Sequence, residues 1–160
     1  MEELLKLLEV NPTLTYSQIG TMLGMEEEDV MRVIHDMTAK GVIKGYRAII
    51  DWDKISQNHV RALIELKVAI KKDRGFDDIA MTIAAMDEVE SVTLMSGGYD
   101  LLVEIKAKTF QEIAMFVFKR LSPLDGVNET ATHFVLRPYK MFGIPYYDEE
   151  ETDEREMNSL

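Results

Sequence analysis

TYSQIGTMLGMEEEDVMRVIHDMTAKGVIKGY, running from Thr15 to Tyr46, decides how the N-terminal part of this chain folds. Thr15 followed three residues later by Gln18 has the spacing of a capping box, which starts a helix. Ile19, Met22 and Leu23 fall on one face of that helix, and Gly24 supplies a tight turn. A second helix is expected from about Glu26 to Lys40, with Val30, Val33, Ile34 and Met37 inward and Gly41 as its C-terminal stop. Val42 to Ile50 alternates weakly and reads as a strand with a turn near Lys44-Gly45. Two short helices, a glycine turn and a strand predict a winged helix-turn-helix, a motif that lays its second helix in the major groove of DNA.

Upstream, Glu2 to Val10 predicts another helix with Leu4, Leu5, Leu7 and Leu8 on a broad apolar face. Asn11-Pro12 ends it, because a residue before proline is pushed out of the helical region. Downstream, Asp51 to Asn58 (DWDKISQN) is polar and aperiodic and reads as a hinge. The period then changes. Val60, Ala62, Ile64, Leu66, Val68 and Ile70 alternate with Arg61, Glu65, Lys67 and Lys71, the mark of a strand covered on one face. Helical spacing follows at Phe76, Ile79, Ala80 and Ile83. Strands follow at Val89–Met95 and Leu101–Ala107 across a Gly97-Gly98 turn. Thr109 caps a helix that Pro123 ends, and a long strand runs from Val127 to Tyr139. The order βαββαβ is the ferredoxin-like pattern. The expected class is therefore α+β. Residues 1–50 would be a winged helix-turn-helix, 51–58 a hinge, 59–140 a ferredoxin-like effector and assembly domain, and 141–160 an acidic tail with aromatics at Phe142, Tyr146 and Tyr147.

Charge and composition narrow the function. The 160 residues carry a net charge of −11. A nucleic-acid binder is expected to carry a basic footprint. The excess is unevenly spread, however. Residues 1–50 hold 8 acids and 5 bases (−3), residues 51–140 hold 14 and 12 (−2), and residues 141–160 hold 7 and 1 (−6). The body is thus only mildly acidic. There is no cysteine, which excludes disulfides and thiolate metal sites. His35, His59 and His133 lie far apart, so no metal or cofactor is expected. No apolar run approaches the ~18 residues of a membrane span, and MEELLKLLEV does not read as a secretory signal, so the expected place is the cytoplasm.

Three motifs, in order, resemble the Lrp/AsnC family of feast-or-famine transcription regulators over about residues 2–140. They are KGVIKGYRAIID (Gly41, Ile43, Gly45, Tyr46), VESVTLMSGGYDLLVEI (Ser96, Gly97, Tyr99, Asp100) and LSPLDGVNETATHFVL (Pro123, Gly126, Val127, Thr130, Thr132). The resemblance implies homodimers that often assemble further, commonly to octamers. It also implies C-terminal domains packed sheet to sheet, and an amino acid or related small molecule bound in a cleft between them.

Candidate residues follow from the two sources together. For double-stranded DNA they are Arg32, His35, Lys40, Lys44 and Arg47, with Thr15, Tyr16, Ser17 and Gln18 as neutral phosphate contacts. Glu26, Glu27, Glu28 and Asp29 suit the helix dipole but repel phosphate. The alternative reading is a winged helix kept for dimerisation, leaving an effector-sensing or assembly module that never touches DNA. For the effector they are Ser96, Gly97, Gly98, Tyr99 and Asp100, with Thr130 and Thr132. Two glycines expose N–H donors that suit a carboxylate, and Asp100 could pair an ammonium. On that view removing Asp100 costs ligand response and spares the fold. On chemistry alone Gly-Gly is also an ordinary two-residue hairpin. Trp52 reads as a packing anchor and the methionines as core fillers. No nucleophile-base pair, carboxylate pair or phosphate loop marks an enzyme. The nearest catalytic alternative is the sirohaem decarboxylases, which share this domain order.

Overall fold

The computed structural model describes residues 1–55, 59–69 and 75–146. Ile70 and Lys71 of the first alternating run, residues 56–58 of the hinge, and Tyr147 with the rest of the acidic segment lie outside the described residues. The chain forms two compact units, Met1–Ile49 and Ile50–Leu160.

The first unit is three helices: α1 Glu2–Val10, α2 Tyr16–Leu23 and α3 Glu27–Ala39. Leu4 and Leu8, one turn apart on α1, are buried with Ile19 of α2 and with Val30 and Ile34 of α3. Leu14, Leu23, Met25, Val33 and Ile43 pack around them. The start of α2 is fixed as its spacing requires. The Gln18 N–H donates to the Thr15 hydroxyl at 3.2 Å, and the Thr15 N–H donates to Gln18 Oε1 at 2.9 Å. Gly24 ends α2 at φ +65°, a left-handed conformation that costs other residues strain.

The sequence expectation fails after α3. Residues 42–50 contain no strand. A strand exists by hydrogen bonding to a neighbour, and the first unit contains no other strand among its described residues. The N–H groups of Val42 and Ile43 instead donate to the Met37 carbonyl, closing the end of α3. Val42 and Tyr46 are left exposed.

The second unit is a four-stranded antiparallel sheet under two helices. Its elements are β1 Val60–Val68, α4 Phe76–Ala84, β2 Val89–Leu94, β3 Leu101–Ala107, α5 Phe110–Phe116 with a π-helical turn at Val117–Leu121, and β4 Val127–Val135. The strand order is β2-β3-β1-β4. This is the βαββαβ arrangement that the alternating pattern predicts. Ala62, Ile64 and Leu66 of β1 and Leu101, Val103 and Ile105 of β3 bury their side chains against Ile79, Ile83, Ile113, Phe116 and Leu121. Among the described residues, the opposite face carries no α-helix. Arg61 pairs with Glu104 there, and His133 Nε2 lies 3.4 Å from Glu65 Oε1.

Two boundaries differ from the sequence reading. The last strand ends at Val135, short of Tyr139. Pro138, which has no N–H to give a ladder, follows three residues later. A hairpin then occupies the start of the supposed tail, with β5 Lys140–Met141 pairing β6 Ile144–Pro145. Its two connecting residues, Phe142 (φ 49°) and Gly143 (φ 82°), both have positive φ, as a tight two-residue turn demands.

Candidate functional site

The N-terminal candidates lie at the start of α2, along α3 and on the segment after it. Gly20 makes the α2–α3 turn close, a role the sequence reading gave to Gly24 alone. A Cβ at Gly20 would stand 2.6 Å from the Met25 carbonyl oxygen. The Gly20 carbonyl in turn accepts the Met25 N–H at 2.9 Å. The visible signal was a glycine inside an apolar helix face, which marks close backbone approach.

On α3, Glu28, Met31, Arg32, His35 and Ala39 are exposed and fall at helical spacing on one stripe. The stripe is short of free positive charge. Arg32 is ion-paired with Asp29 three residues before it. Lys40 Nζ lies 2.7 Å from Asp36 Oδ2. Both pairs are solvent-exposed, so each is worth little and can open. Thr15 and Gln18 have their side chains committed to the capping box. Tyr16 and Ser17 are exposed at the start of α2, whose first turn carries no acid. Lys44 and Arg47 are exposed on the segment after α3.

The C-terminal candidates sit at one end of the sheet. Leu94 pairs with Leu101, so the β2–β3 connection runs from Met95 to Asp100 and is longer than a two-residue hairpin. Ser96, Gly97 and Gly98 are exposed, while Tyr99 and Asp100 are half-buried. Gly97 has φ +140°, and a Cβ on either glycine would meet nothing within 4 Å. The glycines therefore leave open room rather than relieve an internal clash.

Asp100 has a structural tie that the sequence reading does not supply. Its Oδ2 accepts the Val68 N–H at 2.7 Å, and its own N–H donates to the Leu66 carbonyl at 2.9 Å. The carboxylate thus ties the loop to β1 through Oδ2, with lone pairs left over for a ligand. Thr130 and Thr132 lie on the helix side of β4, opposite Leu66 and Ile64. Glu129 and His133 take the helix-free side. Thr130 Oγ1 is 3.5 Å from Ser122 Oγ. Leu66 pairs with both Leu101 and Thr130, so the loop and Thr130 share one end of the sheet, roughly 10 Å apart across β1.

A third feature was not foreseen. A cleft of ≈ 700 Å³ opens at the other end of β3, between the α4–β2 turn and α5. Among the described residues, no group of three or more His, Asp or Glu could hold a metal ion, and no helix is long and apolar enough to cross a membrane.

Residues 61–144 match the Lrp/AsnC ligand-binding domain. The uncharacterized HTH-type transcriptional regulator YugG of Bacillus subtilis is 41% identical over 142 residues, covering 88% of this chain and 86% of that one. The chain belongs to the Lrp/AsnC family. The leucine-responsive regulatory protein of Haemophilus influenzae is 23% identical over 86% of this chain and 82% of its own length. Among solved structures, the regulator NMB0573 of Neisseria meningitidis, in complex with L-Met, superposes with a TM-score of 0.69 at 22% identity. That match covers 86% of this chain and 88% of the Neisseria chain. These relatives are transcription regulators and not enzymes, which removes the tetrapyrrole-decarboxylase alternative.

Proposed function

We propose that this Lrp/AsnC chain is a sequence-specific DNA-binding regulator whose second unit binds an amino acid and pairs with a second copy. The observation that carries the reading is the α2–α3 turn. Gly20 lets the two helices meet closely, and α3 then presents one exposed stripe of Glu28, Met31, Arg32, His35 and Ala39. That arrangement supports a helix-turn-helix, in which the second helix reads base edges while the first meets the backbone. The acid-free first turn of α2, with Tyr16 and Ser17 exposed, suits a phosphate. Lys40, Lys44 and Arg47 add charge near the end of α3. The segment 42–50 would act as the wing only when something pairs with it.

The effector reading rests on the loop Ser96–Asp100, where open glycines offer N–H donors to a carboxylate. The NMB0573 complex holds L-Met, and the Haemophilus relative is named for its response to leucine. An amino acid is accordingly the class of ligand proposed here. Asp100 accepts from Val68 at Oδ2 and keeps lone pairs for the ammonium. Thr130 and Thr132 supply hydroxyls at the same end of the sheet, and a second copy would complete the ring. The helix-free sheet face, with Leu63 and Leu102 among its ion pairs, is the proposed dimer surface. An amino acid that alters assembly is allosteric only if it binds the assembly states unequally.

One observation favours the runner-up, an effector-sensing module without DNA. Arg32 and Lys40 are both paired within α3, and Glu27, Glu28 and Asp29 crowd its first turn. Fluorescence anisotropy with the chain's own upstream DNA across a salt series separates the two readings. Affinity that falls steeply as salt rises marks phosphate neutralisation. No binding at low salt, with or without amino acids, refutes the DNA reading.

A further inference from the structure

The ≈ 700 Å³ cleft lies at the Ala107 end of β3, whereas the Ser96–Asp100 loop lies at the Leu101 end. Seven strand residues, roughly 20 Å, separate the two. The volume falls in the range of small-molecule pockets. Ile105, Ile113 and Phe116 give it an apolar floor. Its rim is charged, and some of those charges are already paired. Arg120 Nη1 lies 2.7 Å from Glu88 Oε1. Glu112 Oε2 accepts the Lys108 backbone N–H at 2.8 Å. Glu90 also has a partner. Three ammonium groups of the lining, Lys106, Lys108 and Lys119, have no carboxylate within ion-pairing distance among the described residues, against two acids with no cation partner, Asp87 and Glu112.

We propose that this cleft is a second ligand site, distinct from the amino-acid loop, which takes a small carboxylate with an aliphatic or aromatic body. The apolar floor receives the body, and Lys108 and Lys119 hold the carboxylate. One negative charge fits better than several, because Asp87, Glu88 and Glu90 along the opposite rim repel a polyanion. A 2-oxo acid, which is an amino acid without its ammonium, belongs to this class and would be refused by a site built for an ammonium. The proposal does not depend on DNA binding.

The cleft carries its own reporter. His59 and Lys106 both line it. The His59 ring meets Trp52 edge-on at 5.0 Å, and Lys106 Nζ sits 4.7 Å from the Trp52 ring centroid. Trp52 is the chain's single tryptophan, so its emission reads this end of the domain.

The test is a titration of the full chain with 4-methyl-2-oxopentanoate, followed by calorimetry and by Trp52 fluorescence. The expected result is saturation at one ligand per chain with a change in emission. The exposed double variant Lys108→Gln/Lys119→Gln should weaken binding by at least about tenfold, as expected for losing charge-assisted contacts to one carboxylate. The uncharged analogue 4-methylpentan-1-ol should bind at least as weakly to the parent protein. The proposal is overturned by the absence of saturable heat up to about 10 mM, where binding would be too weak for a specific site. It is equally overturned if the double variant, folded by circular dichroism, binds as tightly as the parent. Binding lost instead in Gly98→Ala would place the ligand at the amino-acid loop and also overturn it.

Discussion

Replacing Asp100 separates two roles that the sequence alone runs together. If the carboxylate served only a ligand, Asp100→Ala would leave the empty protein as stable as its parent. The structure gives it work without any ligand, since Oδ2 accepts the N–H of buried Val68 at 2.7 Å. A hydrogen bond to a charged group contributes about 1.5–3 kcal/mol, and its loss leaves a buried N–H unpaired. Asp100→Ala should therefore cost about 2 kcal/mol. Asp100→Asn keeps an acceptor and loses the charge, so about 1 kcal/mol is expected. With a urea slope of about 2 kcal/mol/M, the alanine variant should shift its midpoint down by about 1 M. Protomer concentration must be held constant, because pairing of copies adds to apparent stability. Amide exchange gives a local check. The Val68 N–H should exchange roughly 30-fold faster in the alanine variant if local opening governs it. The backbone bonds from Asp100 to Leu66 and from Met95 to Asp100 do not involve the side chain, so exchange at those amides should change less. Parent-like midpoints in both variants, with slow exchange at Val68, would refute the structural role and leave Asp100 with a ligand role alone.

Three further substitutions test the arrangement elsewhere. Gly20→Ala gains helix propensity of about 1 kcal/mol but must move the Met25 carbonyl, an overpacking cost of about 1–3 kcal/mol. A displaced turn should lower DNA affinity more than it lowers the melting temperature, and unchanged affinity by anisotropy would count against the helix-turn-helix geometry. Gly126→Ala forces a side chain to φ +95° and to 2.7 Å from Ile79 Cδ1, so a loss of about 1–3 kcal/mol is expected in chemical denaturation. A loss under about 0.5 kcal/mol, the range of an ordinary surface change, would show that the chain relaxes there at little cost. Asp29→Asn releases Arg32 and removes one acid from α3. DNA affinity should rise several-fold at low salt, with a steeper salt slope. An unaltered slope would mean that Arg32 does not meet phosphate.

The sequence was most legible where a residue's environment lies within its own element or is set by a period. Thr15 and Gln18 cap each other, so their spacing alone located the start of α2. Alternation from Val60 to Val68, broken only at Leu63, placed one face of β1 under the helices, and β3 and β4 pair on either side of it. It was least legible where an atom's partner comes from a distant segment. The nature of the Val42–Ile50 segment depends on a pairing partner, and its residue types cannot supply one. Asp100 looked free because the N–H it accepts belongs to Val68, 32 residues earlier. The side of β4 that carries Thr130 could be fixed only once its register against Leu66 was known. The Lys108–Lys119 cleft had no signal at all, because a strand end, a helix and a π-helical turn build it together. Gly20 lies between these cases. A glycine inside an apolar helix face invites the question of what comes close, but only the position of the Met25 carbonyl answers it. The same division bears on function. The apolar face of α3 is fixed by its period, whereas its capacity for DNA depends on whether Arg32 leaves Asp29 and Lys40 leaves Asp36 when phosphate is offered. Exposed pairs of this kind are weak enough for a phosphate to displace. The acids in the α3 sequence are therefore compatible with DNA binding, provided that phosphate competes for the same two cations.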